Sequence, residues 1–249
     1  MFKRFFKKHL LILVLSFLSA SYCLQLYGQN KQETDSPYSL FDEVIGHTNS
    51  GIFNGIEYFE KFQVKNDKHK FFKHKFFIWG SVIYNNQPYF KTALKYDVYD
   101  DELLIKNSEK LEAVITQLDK NNVTEFELNG HLFKNITFSI KQDEYISGYF
   151  EILFENEVIT LFKKHRKKIS RITDKEIYYE FKDQFQYYIR RQNTYFKLKK
   201  VGFLTTIFPE YKIQLKDSFK RHENLRKTDS DKYLKSVIID LNNLILNNN

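Results

Sequence analysis

From Phe76 to Lys200 the chain trades apolar for polar residues with a period of two, the spacing that sends alternate side chains to opposite faces of a strand. The clearest stretch is Ala93–Lys106, where Leu94, Tyr96 and Val98 alternate with Lys95, Asp97 and Tyr99 before Asp100 and Asp101 interrupt the run. If those two aspartates form the loop, Val98 faces Leu103 and Tyr96 faces Ile105, and one apolar face continues across both strands. Asp97, Asp100, Asp101 and Glu102 then belong to a solvated hairpin tip, since no DxDxDG-like calcium loop is present.

Similar runs follow at Phe76–Tyr84, Leu111–Leu118, Val123–Leu128 and His131–Ile140, and then GYFEILFE, EVITLFKKH, EIYYEFK, QFQYYIR and TYFKLKK complete the series. Asn85–Asn86 and Asn129–Gly130 read as hairpin turns, because both pairs tolerate positive φ. Pro88 cannot donate to a ladder and belongs at a strand start or an edge. No amphipathic stretch of crossover length separates the runs, so the pattern predicts an antiparallel meander, mainly β, forming a sandwich or a barrel.

The period changes after Val201. Phe203, Leu204 and Ile207 suggest a short helix, Pro209 suits the first turn of a second, and Asp229 or Ser230 can cap the last. In that last helix Tyr233, Leu234, Val237, Ile238, Leu241, Leu244 and Ile245 recur at steps of three and four, giving one apolar face to lay on the sheet. A helical tail of two to three helices is expected over residues 201–249, after a β domain at 76–200 and an N-terminal arm at 29–75. Within the arm, Tyr38–Ile45 reads as a short helix, and Phe71 and Phe72 of KNDKHKFFKHK read as pins holding a solvated loop to the core.

The first 28 residues carry the order of a secretory signal: Lys3, Arg4, Lys7 and Lys8, an apolar run from Leu10 to Leu18, then small residues at Ser19, Ala20 and Ser21. Cleavage after Ser21 and cleavage after Gly28 both satisfy the pattern. Cys23 raises a lipoprotein reading, but Tyr22 is a poor residue immediately before a lipidated cysteine. It is the one cysteine of the chain, so an internal disulfide and cysteine-ligated zinc are excluded. Removing the leader also takes four basic residues from the net charge of +8, leaving a mild excess that argues against a nucleic-acid partner. No membrane-spanning helix is expected in the mature chain.

Aromatic residues make up 17% of the chain, chiefly 25 Phe and 17 Tyr, which suits broad pleated surfaces. In the pairs Tyr178–Tyr179, Tyr187–Tyr188 and Tyr195–Phe196, one ring should point inward and the other outward. GSVIYNNQPYF, LKYDVYDDELLIK, SGYFEILFE, RITDKEIYYEF and a helical end with IFPEYK resemble a group of uncharacterised exported proteins recurrent in Bacteroidota. The resemblance runs from about Gly51 onward and implies a Gram-negative envelope address and a shared architecture, with no functional residue to carry over.

Candidate chemistry is sparse. His47, His69, His74, His131, His165 and His222 are scattered without HExxH spacing, and there is no GxSxG elbow, phosphate-cradling glycine loop or dinucleotide fingerprint. No cofactor or metal is expected. The densest basic run after the leader is KKHRKKISR, in which Lys163, Lys164, His165, Arg166, Lys167, Lys168 and Arg171 form a candidate patch for an anionic partner. The plainer reading is a long strand end projecting into water, with lysines that discourage edge-to-edge association. The functional expectation is a non-catalytic exported envelope protein, in the periplasm, at the outer-membrane periphery or beyond the cell. It would bind an envelope protein or an anionic glycan or lipid surface. Alternatives are a glycan- or lipid-binding barrel or sandwich, and a hydrolase without a recognisable motif.

Overall fold

The structure, a computed structural model, describes residues 51–106, 114–141, 144–173 and 175–247. The signal segment 1–28, the arm up to residue 50 with its expected helix at Tyr38–Ile45, and the opening of the run Leu111–Leu118 lie outside the described residues.

The chain is mainly β, as the alternation predicts. The strands are β1 (Ile56–Glu57), β2 (Ile78–Tyr84), β3 (Gln87–Asp97), β4 (Glu102–Lys106), β5 (Ile115–Gln117), β6 (Val123–Leu128), β7 (His131–Lys141), β8 (Glu144–Glu155), β9 (Ile159–Thr173), β10 (Ile177–Arg191) and β11 (Thr194–Leu198). They join in one 11-stranded antiparallel sheet, in the order β1-β5-β4-β3-β2-β6-β7-β8-β9-β10-β11, which does not close on itself. The expected antiparallel, mainly β architecture is thus built as one continuous sheet that stays open.

Local chemistry sets the turns. Asn85 and Asn86 take φ of 51° and 61°, and Asn129 and Gly130 take 54° and 73°, the left-handed pairs that match the twist of a tight hairpin. At the β3–β4 hairpin the register departs from expectation, because Tyr96 pairs with Leu103 and Leu94 with Ile105. The cause is Asp97, whose Oδ1 accepts from the backbone N–H of Tyr99 at 3.1 Å and of Asp100 at 3.2 Å and so starts the turn early. A slip of two residues leaves every side chain on its expected face. Two further runs also merge: EIYYEFK and QFQYYIR are one strand, β10, and β9 carries the basic run through to Thr173.

Curling follows from one short link. Four strand-to-strand steps separate β5 from β6, about 19 Å if the sheet were flat. The chain crosses between them in Leu118–Asn122, part of it the 3-10 turn Lys120–Asn122, too short a path for a flat sheet. The curl encloses a core of Leu94, Tyr96, Leu103, Ile105, Phe126 and Phe133, joined by Tyr149 of β8. A second curl brings β11 to β7, where the rings of Tyr195 and Phe138 stack at 4.4 Å over Phe150, Phe162 and Tyr188.

Four helices follow β11: the single turn α1 (Leu204–Ile207), α2 (Lys212–Arg221), α3 (Glu223–Thr228) and α4 (Ser230–Asn247). Pro209 opens a 3-10 turn ahead of α2, and Asp229 caps α4 by accepting from the Lys232 N–H at 2.9 Å. The expected apolar face of α4 buries Tyr233, Leu234, Val237, Ile238, Leu241 and Ile245 against Leu161, Tyr187, Ile189 and Leu198. Each fully buried side chain of this kind contributes roughly 1.5–3 kcal/mol before entropy is charged against it. With helices on one face and the second curl on the other, Tyr187 and Tyr188 are both buried, where an inward and an outward ring were expected.

Candidate anion-binding ribbon

The strands β9 and β10 run 15 residues each and pair without a break from Ile159–Arg191 to Thr173–Ile177. Their neighbours are shorter. β8 pairs with β9 only up to Lys163, and β11 pairs with β10 only from Tyr187 onward. Beyond those points the two long strands project as a ribbon, and the basic run lies along it.

Alternation divides the seven candidate cations between two faces. On the face directed toward the helices and arm, Lys163 donates to Asp231 of α4 at 2.5 Å, and His165 Nε2 meets Glu151 Oε2 at 2.6 Å. Lys167 pairs with Asp183 at 2.7 Å, while Arg171 remains exposed. On the opposite strand positions Lys164 is buried, and its Nζ donates to Asp101 at 2.8 Å and to the Tyr149 carbonyl at 3.1 Å. Only Arg166, Lys168 and Arg171 of the run stand in solvent. Four of the seven are thus paired within the molecule, three with carboxylates of α4, β8 and β10, and Lys164 with Asp101 of the hairpin tip expected to be solvated.

That tip is an ionic junction. Asp97, fully buried, meets Lys70 at 2.7 Å, and Lys70, 1% exposed, also has Asp100 at 3.3 Å and Glu60 at 3.4 Å. The rings of Tyr58, Phe62 and Phe71 surround the same ammonium at 5.2, 5.3 and 5.6 Å. Burial alone would drive the proton from Lys70, but the Asp97 carboxylate and the Tyr58 phenol hold it on, above the usual lysine value. Asp101 collects Lys164, Lys120 and the Tyr96 hydroxyl, and these outweigh burial to keep its carboxyl below the ordinary range. Gly148 makes room for this contact. It sits at φ +113°, and a Cβ there would overlap Asp101 and lie 2.6 Å from Lys164 Nζ.

Two histidines that look scattered in the sequence converge. Buried Glu151 accepts from His131 Nδ1 on one oxygen and His165 Nε2 on the other. Burial would raise Glu151, yet the two imidazoles hold it down at about 2. His165 is itself pushed below its ordinary value by burial, against the pull of Glu151. Ser218, His222 and Asp240 also meet, beside a cleft of about 310 Å³ between α2 and α4. Ser218 Oγ and His222 Nε2 both point at Asp240 Oδ2, at 2.6 and 3.0 Å, so the imidazole is not placed to take the serine proton.

The outer face of the ribbon has a different character. Lys168 stands directly opposite Lys182, with Arg166 and Gln184 as the next pair along. Directly opposed side chains have Cβ atoms about 4.5–5.5 Å apart, where like charges oppose folding. The acids of the ribbon that fall among the described residues are engaged elsewhere. Glu176 is held by Lys65, Glu180 by Lys68 at 2.7 Å, and Asp183 by Lys167 at 2.7 Å. Arg166, Lys168, Arg171 and Lys182 have no carboxylate partner among the described residues. Lys197 of β11, opposite Tyr188, lies on the same face and is exposed. Neither Lys182 nor Lys197 stands out in the sequence, and the signal that finds them is the cross-strand register rather than the density of basic letters. No family model matches the chain, and neither a curated protein nor a solved structure does.

Proposed function

We propose that this chain is a non-catalytic, exported cell-envelope protein that holds an anionic partner on the outer face of the β9–β10 ribbon. The observation that carries the reading is the Lys168–Lys182 pair, opposed in the ladder beside Arg166, with the ribbon's described carboxylates occupied elsewhere. Such an arrangement weakens the isolated fold and is relieved when a foreign anion lies across it. The leader of residues 1–28 supports export. No helix among the described residues is long and apolar enough to cross a membrane.

The test is binding of the purified protein to an immobilised polyanion, heparin, over a salt series. Binding should weaken steeply between about 0.05 and 1 M salt, since exposed charges are screened over about 3 Å at 1 M. The double variant Lys168→Glu with Lys182→Glu should abolish it while the circular dichroism spectrum stays β-rich. Retention of both variant and parent with equal strength would remove the ribbon from the proposal.

A further inference from the structure

The two edges of the ribbon differ, and the difference narrows the kind of anion. Along β10 the arm seals the edge: the Tyr179 N–H donates to the Gln63 carbonyl at 2.9 Å and the Phe181 N–H to the Lys68 carbonyl at 2.8 Å. Along β9 nothing equivalent occurs. The strand β8 leaves β9 after Lys163, with a register shift between Ile152 and Phe154, and the Asp101 side chain meets Lys164 at Gly148, in the gap where the two strands part. From Arg166 to Thr173 no backbone group outside β10 bonds to β9 among the described residues. Alternate N–H and C=O groups on that edge therefore face outward, as on any unpaired edge strand.

We infer that this edge of β9 takes an extended, acidic protein segment as an added strand, with carboxylates at every second position set beside Arg166 and Lys168. The inference rests on the anion-binding reading above and makes it specific. Side chains two apart on one face of a strand repeat every 6.4–6.8 Å, and the repeat is the same in Arg166–Lys168 and in an added strand. The added backbone fills the open ladder, while its acidic face meets the unpaired cations, the combination of main-chain affinity and side-chain selection that strand addition provides. On the other face the half-buried Ile169 offers an apolar neighbour to the intervening residues. A lipid or polysaccharide surface supplies negative charge but no in-register donors and acceptors.

The full chain lacking residues 1–28 is titrated with four probes: an acetylated octapeptide of alternating Glu and Thr, two versions of the same peptide N-methylated at alternate amides, one in each phase, and vesicles of phosphatidylglycerol in phosphatidylcholine. Strand addition predicts that the parent peptide binds and slows amide hydrogen exchange at alternate residues between Arg166 and Thr173. One N-methylated phase should lose at least about tenfold in affinity. Equal binding of all three peptides, or binding of vesicles alone, overturns strand addition while leaving an anion-binding ribbon in place. Failure of every anionic probe, with the protein folded by circular dichroism, overturns both.

Discussion

Lys70 and Asp97 offer the sharpest test of the forces that hold the arm to the hairpin. Replacing Lys70 by Met keeps an unbranched stem among the rings of Tyr58, Phe62 and Phe71 but leaves the fully buried Asp97 without its cation. Breaking a buried pair from one side costs about 3–5 kcal/mol. Asp97→Asn is milder, because an amide oxygen still accepts from Tyr99 and Asp100, and Lys70 retains Asp100 at 3.3 Å and Glu60 at 3.4 Å. We expect about 1–3 kcal/mol for that change. With both changes no unpaired charge is stranded at the Asp97 position, and the double variant should recover about 2–3 kcal/mol relative to the sum of the singles. Urea unfolding at pH 7 measures this. With a slope near ~3 kcal/mol per molar, Lys70→Met should lower the midpoint by roughly 1 M or more. Acid should narrow that deficit: burial already raises Asp97, and a group with a raised folded value loses stability as pH rises through it. Additive singles, or a Lys70→Met cost below about 1 kcal/mol, would refute the argument that burial makes this pair decisive.

Three other outcomes follow from the same geometry. Gly148→Ala should destabilise the fold by at least about 2 kcal/mol in thermal or urea melts, since the residue sits at φ +113° and the new methyl collides with the Asp101–Lys164 pair; an unchanged midpoint would contradict the placement of that pair. Stability should fall as pH is lowered. His165, held below its ordinary 6.5, costs stability once pH drops below that value, and Glu151, lowered from 4.5 to about 2, contributes about 3 kcal/mol above pH 4.5 that is lost on the way to its folded value. Glu151→Gln should flatten the lower part of that curve, and parallel curves for parent and variant would count against the histidine clamp. Finally, Lys182→Glu should raise stability by about 0.2–1 kcal/mol by placing opposite charges across the ladder, while weakening polyanion binding; a stability loss would show that Lys168 and Lys182 are not opposed as the register places them.

Much of the architecture is written locally. The alternation of Leu94, Tyr96 and Val98, the Asn85–Asn86 and Asn129–Gly130 turns and the stripe on α4 each depend on a few neighbouring residues. Backbone geometry turns such patterns into strands, hairpins and an amphipathic helix without reference to the rest of the chain. What no local pattern contains is which distant charges meet. The run Lys163–Arg171 reads as one patch, yet Lys163, Lys164 and His165 are drawn inward by Asp231, Asp101 and Glu151, Lys167 pairs across the ladder with Asp183, and the exposed strip is completed by Lys182 and Lys197. The acidic hairpin reads as a solvated tip, and its burial follows from the arm that lays Lys70 against Asp97 and from the curl that brings Asp101 to Lys164. Periodicity reports the face on which a side chain sits, and so the sequence alone determined the β-rich run, the Asn85–Asn86 and Asn129–Gly130 turns and the helical tail, while the start of the β3–β4 turn and the joining of two runs into β10 were settled by the fold. Whether that face meets water or an opposite charge depends on how the sheet bends, and only the tertiary structure decided which cations remain free.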